Sequence, residues 1–381
     1  MIGAILGDII GSIYEFEPKK EKDFQLFWDF NEITDDGLLT MAVFSALEKS
    51  ADNYDKLGIT VAKELIKYFA NYPMPMGGYG SMFSNWATES LKSYSVLPAY
   101  NSFGNGAAMR ISPVAYFAKS LESCIDLARK VTEVTHNHPE GIKGAEAVAV
   151  TVYMALNGHN KSEIYEYINK NYYRLNETCN EIRKYYRFEG SCQKTVPQSI
   201  QAFLESASFE DAVRIAISLG GDADTMAAIT GSIAEAYYGI PSSIESKAFD
   251  HVDDKNKELV RRMLHLRNSV VKRYLESETS KYETDLIHYR TTGSDMDGFP
   301  DKHQRYLSLK YKGIFYECSD NKFLNATDTS GNTKRMNQQE FMFFIDEIRH
   351  YLHNQFKHEI LSVADFYDEI FLEISQNYWR E

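Results

Sequence analysis

Glycine recurs every fourth residue at the start of this chain, as Gly3, Gly7 and Gly11, inside the apolar run from Met1 to Gly11. That period places all three on one face of a helix. Glycine costs a helix interior about 1 kcal/mol relative to alanine. A stripe of it therefore needs a reason, and close approach of a neighbouring helix is the usual one. Ala227, Gly231 and Ala234 repeat the device late in the chain. Asp8, Ser12 and Glu15 fall on another face of the first segment at i, i+4 and i+7, which predicts a polar face turned toward a polar site. The run has no cationic leader, is interrupted by Asp8 and is too short to span a bilayer. It reads as a buried helix, and the protein as cytoplasmic with no membrane partner.

Helical periodicity dominates residues 1–278. Leu39, Val43 and Leu47 recur at helical spacing, as do Ile125, Ala128, Val131 and Val134. Pro139 opens a segment that ends near Asn157-Gly158, residues 209–219 stop at Gly220, and an amphipathic stretch covers Lys257 to Leu275. No segment there alternates as a strand, so the fold class is all-α. Residues 279–304 read as a linker. Residues 305–381 read as a small α+β appendage: a β-hairpin from Tyr306–Tyr311 and Ile314–Cys318, then two amphipathic helices marked by Phe341, Phe344, Ile348 and Leu352 and by Phe366, Ile370 and Ile374. The appendage holds no catalytic constellation. Its aromatic faces imply a cover, which is the large domain, a protein partner or self-association.

Two acidic clusters carry the chemistry. Thr34-Asp35-Asp36 precedes one apolar helical stretch, and Gly220-Gly221-Asp222-Ala223-Asp224-Thr225 runs into another. Asp and Thr are good helix caps, which would account for either cluster alone. Four aspartates and two threonines at two helix starts favour a site for hard divalent cations, which take oxygen ligands. A net charge of −13 without a Lys/Arg run argues against a large nucleic-acid footprint. The four cysteines, Cys124, Cys179, Cys192 and Cys318, are dispersed and form no CxxC pair, against a zinc site or a disulfide framework.

Between the clusters lie two glycine-rich stretches, Gly77-Gly78-Tyr79-Gly80 and Asn101-Ser102-Phe103-Gly104-Asn105-Gly106. Neither matches a Walker or dinucleotide fingerprint. A structural turn accounts for each, and clustered backbone N–H groups would also suit a phosphate. Within Thr135-His136-Asn137-His138-Pro139, His136 reads as a residue that packs on or hydrogen-bonds a ligand, and His138 as part of a helix start.

Taken in order, these segments resemble the ADP-ribosylglycohydrolase family. The matching stretches are Gly3 to Phe16, Thr34 to Asp36, Gly77 to Gly80, Asn101 to Pro113, Thr135 to Ala147, Ser191 to Pro197 and Leu219 to Pro241. The resemblance implies an all-α domain around a cleft holding two Mg²⁺ ions. By position, Thr34, Asp35 and Asp36 would ligate one ion, Asp222 and Thr225 the other, with Asp224 bridging. Glu15 would close over the site, so that Glu15, Asp35, Asp36 and Asp224 form the catalytic set. Ser102, Phe103, Gly104, Asn105 and Gly106 match a pyrophosphate loop, His136 an adenosine-side contact, and Gly78, Tyr79 and Gly80 would line the cleft. The family carries Thr or Ser after the paired aspartates; Gly37 stands there instead, and the missing hydroxyl is expected to loosen the turn.

The function this implies is Mg²⁺-dependent cleavage of the glycosidic bond between ADP-ribose and a modified protein or small substrate, with arginine the leading acceptor. A weakly active ADP-ribose-binding module and a Mg²⁺-dependent nucleotide phosphohydrolase are the alternatives.

Overall fold

A computed structural model describes residues 1–279, other than 16 and 52, and the segments 289–291, 305–311, 314–318, 325–327 and 332–336. Two compact units divide the chain, Met1–Val270 and Val271–Glu381.

The first unit is built of helices: α1 Ile2–Gly11, α2 Asp35–Lys49, α3 Leu57–Asn71, α4 Ser81–Lys92, α5 Pro113–Phe117, α6 Leu121–Thr132, α7 Pro139–Leu156, α8 Lys161–Asn171, α9 Cys179–Tyr185, α10 Cys192–Glu205, α11 Phe209–Ser218, α12 Ala223–Tyr238, α13 Ser242–Glu245, α14 Lys247–Asp250 and the start of α15 Asp254–Thr279. Pro139 opens α7 as expected, with the His138 ring accepting the Glu140 amide as its cap. α11 stops where Gly220 turns left-handed at φ +71°.

The glycine stripe of α1 lies against α12. A Cβ added at Gly3 or Gly7 would fall inside the backbone of Gly231 or Ala227, and one at Gly11 would stand 2.5 Å from the Asp224 Cα. Such proximity leaves no space for side chains, so both helices are buried almost throughout. α12 is surrounded by α1, α7, α10 and α11, so its small and apolar residues are core and its polar ones, Asp224, Thr225, Thr230, Ser232 and Glu235, are buried with them. The Glu235 carboxylate pins the pair by accepting the Gly3 amide at 2.9 Å, with Arg267 3.6 Å away. This packing carries the end of α1 to the start of α12, beside the start of α2.

In the second unit the described strands form an antiparallel sheet in chain order: β1 Tyr289–Thr291, β2 Arg305–Tyr311, β3 Ile314–Cys318, β4 Asn325–Thr327 and β5 Thr333–Arg335. The β2–β3 hairpin closes with Tyr311 opposite Ile314. β1 lies within 279–304, read above as a linker, and pairs with β2. The division at Val270 falls inside α15, before the expected boundary at 278. The two helices expected beyond residue 340 lie outside the described residues.

Candidate active site

Thr34 caps α2, accepting the Asp36 amide on its hydroxyl at 3.3 Å, and Asp222 stands at the cap position of α12. A helix start concentrates unpaired N–H groups and positive dipole, the setting in which a carboxylate is favoured. The two starts meet: the Thr225 hydroxyl donates to Asp36 Oδ2 at 3.1 Å, across 189 residues of sequence.

Carboxylate oxygens converge here in two groups, Asp8 with Asp36 and Asp224, and Glu15 with Asp222 and Asp224, each within 4.8 Å. Burial, then the charge of Asp224, holds the Asp8, Asp36, Asp222 and Asp35 carboxyls well above the usual carboxylate range. The same two causes push Glu15 up to about 8. Asp36 Oδ1 is buried with no hydrogen-bond partner among the described residues. An all-oxygen donor set, crowded carboxylates and an orphaned buried oxygen together fit a divalent cation.

Asp8 is the acid that the site reading lacked. Fully buried on α1, it accepts the Thr34 hydroxyl at 2.6 Å and the Thr34 and Gly37 amides at 3.0 and 2.9 Å. Its signal was visible as a carboxylate on the polar face of an otherwise apolar helix. The Asp8 contacts also answer the expectation about Gly37. The turn is tied down by the Gly37 amide itself and needs no hydroxyl at that position.

Around the acids is a cleft of about 380 Å³. Its walls include Glu15, Asp35, Asp36, Asp222, Asp224 and Thr225, the loop Gly77 to Gly80, then Ser102, Gly104, Asn105, Gly106 and His136. Thr34 lies behind this wall, completely buried, and Phe103 faces outward, about half exposed and edge-on to His138 at 5.3 Å. Gly77 adopts φ +74°, and a Cβ there would collide with Glu15 Oε2, so only glycine lets the loop close onto that carboxylate. The loop is tied to the first acidic cluster by a parallel bridge between Thr34 and Met76. The Tyr79 hydroxyl is spent on Tyr72 O at 2.9 Å, which makes that ring a support for the loop.

Asn105 joins the glycine loop to the acids, donating from Nδ2 to Asp222 Oδ2 at 2.7 Å while its amide bonds Gly190 O at 2.8 Å. Arg110, Phe83, Tyr100, Phe188 and Gly190 also line the cleft and were not singled out from sequence. Their placement depends on contacts between distant segments, for which no local pattern exists.

The model of the ADP-ribosylglycohydrolase family matches residues 1–276. An ADP-ribosylarginine hydrolase, Tri1, of Pseudomonas putida (strain GB-1) is 26% identical over 300 residues, covering 68% of this chain and 76% of that protein. The ADP-ribosylhydrolase ARH3 of Xenopus tropicalis is 25% identical over 305 residues, covering 63% and 86%. ARH3 of Homo sapiens is 24% identical over 323 residues, covering 65% and 86%. A solved structure described as an ADP-ribosylglycohydrolase-related protein complex superposes with a TM-score of 0.52 at 19% identity, covering 71% of this chain and 95% of that one, and so shares the fold. With a helical unit organised around paired acidic helix starts and a family match across nearly all of it, this chain belongs to the ADP-ribosylglycohydrolase family.

Proposed function

We propose that this member of the family removes ADP-ribose from modified arginine, using two Mg²⁺ ions. The observation that carries the reading is the convergence of five carboxylates and a glycine loop on one cleft, with Asn105 of the loop bonded to Asp222. Thr34, Asp35 and Asp36 would hold one ion and Asp222 and Thr225 the other, with Asp224 between them. When bound, the ions supply Lewis-acid binding of ribose hydroxyls and a water of lowered pKa.

The chain's own residues then supply position. The loop from Ser102 to Gly106 holds the pyrophosphate, and the Asn105–Asp222 bond fixes its distance from the acids. Binding energy from the diphosphate thus orients the anomeric carbon, where cleavage passes through an oxocarbenium-like state. Glu15, half-buried between Gly77 and the Asp222–Asp224 pair, faces the reacting bond and orients the attacking water. Arginine as the acceptor is supported by the likeness to proteins called ADP-ribosylarginine hydrolases. A reducing, cytoplasmic setting fits the buried free thiols of Cys124, Cys179 and Cys192.

Incubation with an ADP-ribosylated arginine protein, with Mg²⁺ or with EDTA, tests the reading. Free ADP-ribose released only with the metal is the expected product. AMP or phosphate would assign the site to phosphohydrolysis, and binding without any release would assign it to recognition alone.

A further inference from the structure

Arg110 is a guanidinium kept from water: the residue is 1% exposed, and its Nε has no hydrogen-bond partner among the described residues. Burying such a charge is costly unless it is paired or hydrogen-bonded, and here the Phe83 ring centroid lies 5.8 Å from Cζ. Its Nη2 donates to the Thr135 hydroxyl at 2.6 Å and lies 3.5 Å from His136 Nδ1, while the Thr135 hydroxyl lies 2.9 Å from that same nitrogen. Guanidinium has donors and no acceptor. The Thr135 hydroxyl has a second acceptor in Thr132 O at 3.5 Å, but Nδ1 is the nearer at 2.9 Å, and the donor-only Nη2 faces the same nitrogen, so both neighbours suit an Nδ1 that accepts.

We propose that Arg110 is a positioning residue which, through Thr135, holds His136 as the tautomer protonated on Nε2, so that the ring presents a fixed N–H donor to an acceptor atom of the bound nucleotide. The inference rests on the reading of the cleft as the ADP-ribose site. His136 is a cleft residue, 5% exposed, and its ring's hydrogen-bond contacts among the described residues, to Arg110 and Thr135, both fall on Nδ1. The nitrogen borders the glycine loop, 3.7 Å from a Cβ added at Gly104 and 3.4 Å from one at Gly106. Glycine at both positions leaves the space over Nε2 clear. Burial, with the Arg110 charge second, holds His136 well below its ordinary range, so the ring is neutral and a tautomer exists to be chosen. Tyr100 meets the ring edge-on at 5.7 Å and fixes its plane.

The tautomer is read directly from the ring-nitrogen shifts of His136 in the full-length ¹⁵N-labelled protein at neutral pH, assigned against His136→Gln. A protonated Nε2 with a bare Nδ1 is expected in the wild type, and a proton on Nδ1 there would overturn the proposal without any variant. Arg110→Met removes the donor-only group, which frees the Thr135 hydroxyl to turn. The expected result is a shift toward the tautomer protonated on Nδ1, with ADP-ribose binding in EDTA weakened in proportion to the lost Nε2-protonated fraction, about twofold for an even mixture and about tenfold where a tenth remains. Arg110→Lys keeps a donor-only head and should retain the wild-type tautomer. A folded Arg110→Met variant with unchanged shifts and unchanged affinity would assign Arg110 a packing role only. Because the shifts are recorded without ligand, failure of the wild type to bind ADP-ribose would remove the functional reading and leave the relay to be judged on the shifts.

Discussion

The Gly37 amide donates to Asp8 Oδ2 at 2.9 Å, and a Cβ added at Gly37 would stand 2.5 Å from that same oxygen. The position has room for an N–H group and for nothing more. Ile33 closes the other side, with Cγ1 and Cδ1 at 2.7 and 2.8 Å from the added atom. Gly37→Thr, which restores the residue type usual in the family, is therefore expected to lower stability by about 1–3 kcal/mol, as overpacking does. Denaturant unfolding measures this. Adding Ile33→Ala should return part of the loss, and a Gly37→Thr protein as stable as the wild type would show that the turn can open.

Asp8 accepts donors from two residues of the Thr34–Gly37 turn, and Asn in its place offers one oxygen and turns an NH₂ group toward an N–H donor. Asp8→Asn should cost roughly 1–3 kcal/mol, the scale of a buried donor left without its acceptor. It should also weaken cation binding, because the Thr34–Asp36 turn loses its anchor. Thermal melts with and without Mg²⁺ separate the two effects. A variant whose metal-free stability falls while its Mg²⁺ affinity stays unchanged would confine Asp8 to folding.

Asp224 is a member of both oxygen groups, and its charge raises the pKa of Asp8, Glu15, Asp35, Asp36 and Asp222. Removing that charge relieves repulsion in the metal-free protein. Asp224→Asn should therefore melt higher than the wild type in EDTA and yet lose more than about a hundredfold in turnover, since several kcal/mol of charge stabilisation go with it. Melting curves in EDTA and the ADP-ribose release assay check the two halves. Wild-type turnover in this variant would remove Asp224 from the mechanism.

The Glu15 carboxylate lies against Gly77 at the edge of the acids, and among the described residues no hydrogen bond joins it to the Ser102–Gly106 loop. Glu15→Ala should lower kcat far more than it raises the Kd for ADP-ribose, and equal losses would make it a binding residue instead.

What the sequence revealed and what it hid follow from how far apart the interacting residues lie. Asp222, Asp224 and Thr225 share one helix turn, and Gly3, Gly7 and Gly11 one helix face, so local spacing displays both. Asp8 gains its role from a turn 26 residues away, and Arg110 from Thr135 at 25, distances over which no periodicity operates. Phe188 and Gly190 reach the cleft by a loop whose course is fixed by bonds such as Asn105 N to Gly190 O. β1 was hidden for a related reason: three residues long, it exists through pairing with β2.

The acids also set a pH dependence that the metal should erase. In the folded, metal-free chain Asp8, Asp35, Asp36, Asp222 and Glu15 all have pKa values above their ordinary ones, through burial and the charge of Asp224. The folded state thus keeps protons that the unfolded chain releases at about pH 4. Stability present below that pH is lost as pH rises through the folded values, and for Glu15 the window extends up to about 8. In EDTA the Tm should fall between pH 5.5 and pH 8. A bound cation takes the place of those protons, so Mg²⁺ should raise the Tm more at pH 8 than at pH 5.5. Thermal melts at the two pH values, with EDTA and with Mg²⁺, provide the comparison. A Tm in EDTA that rises toward pH 8, or a Mg²⁺ increment larger at pH 5.5, would show that these carboxyls are already ionised in the metal-free fold.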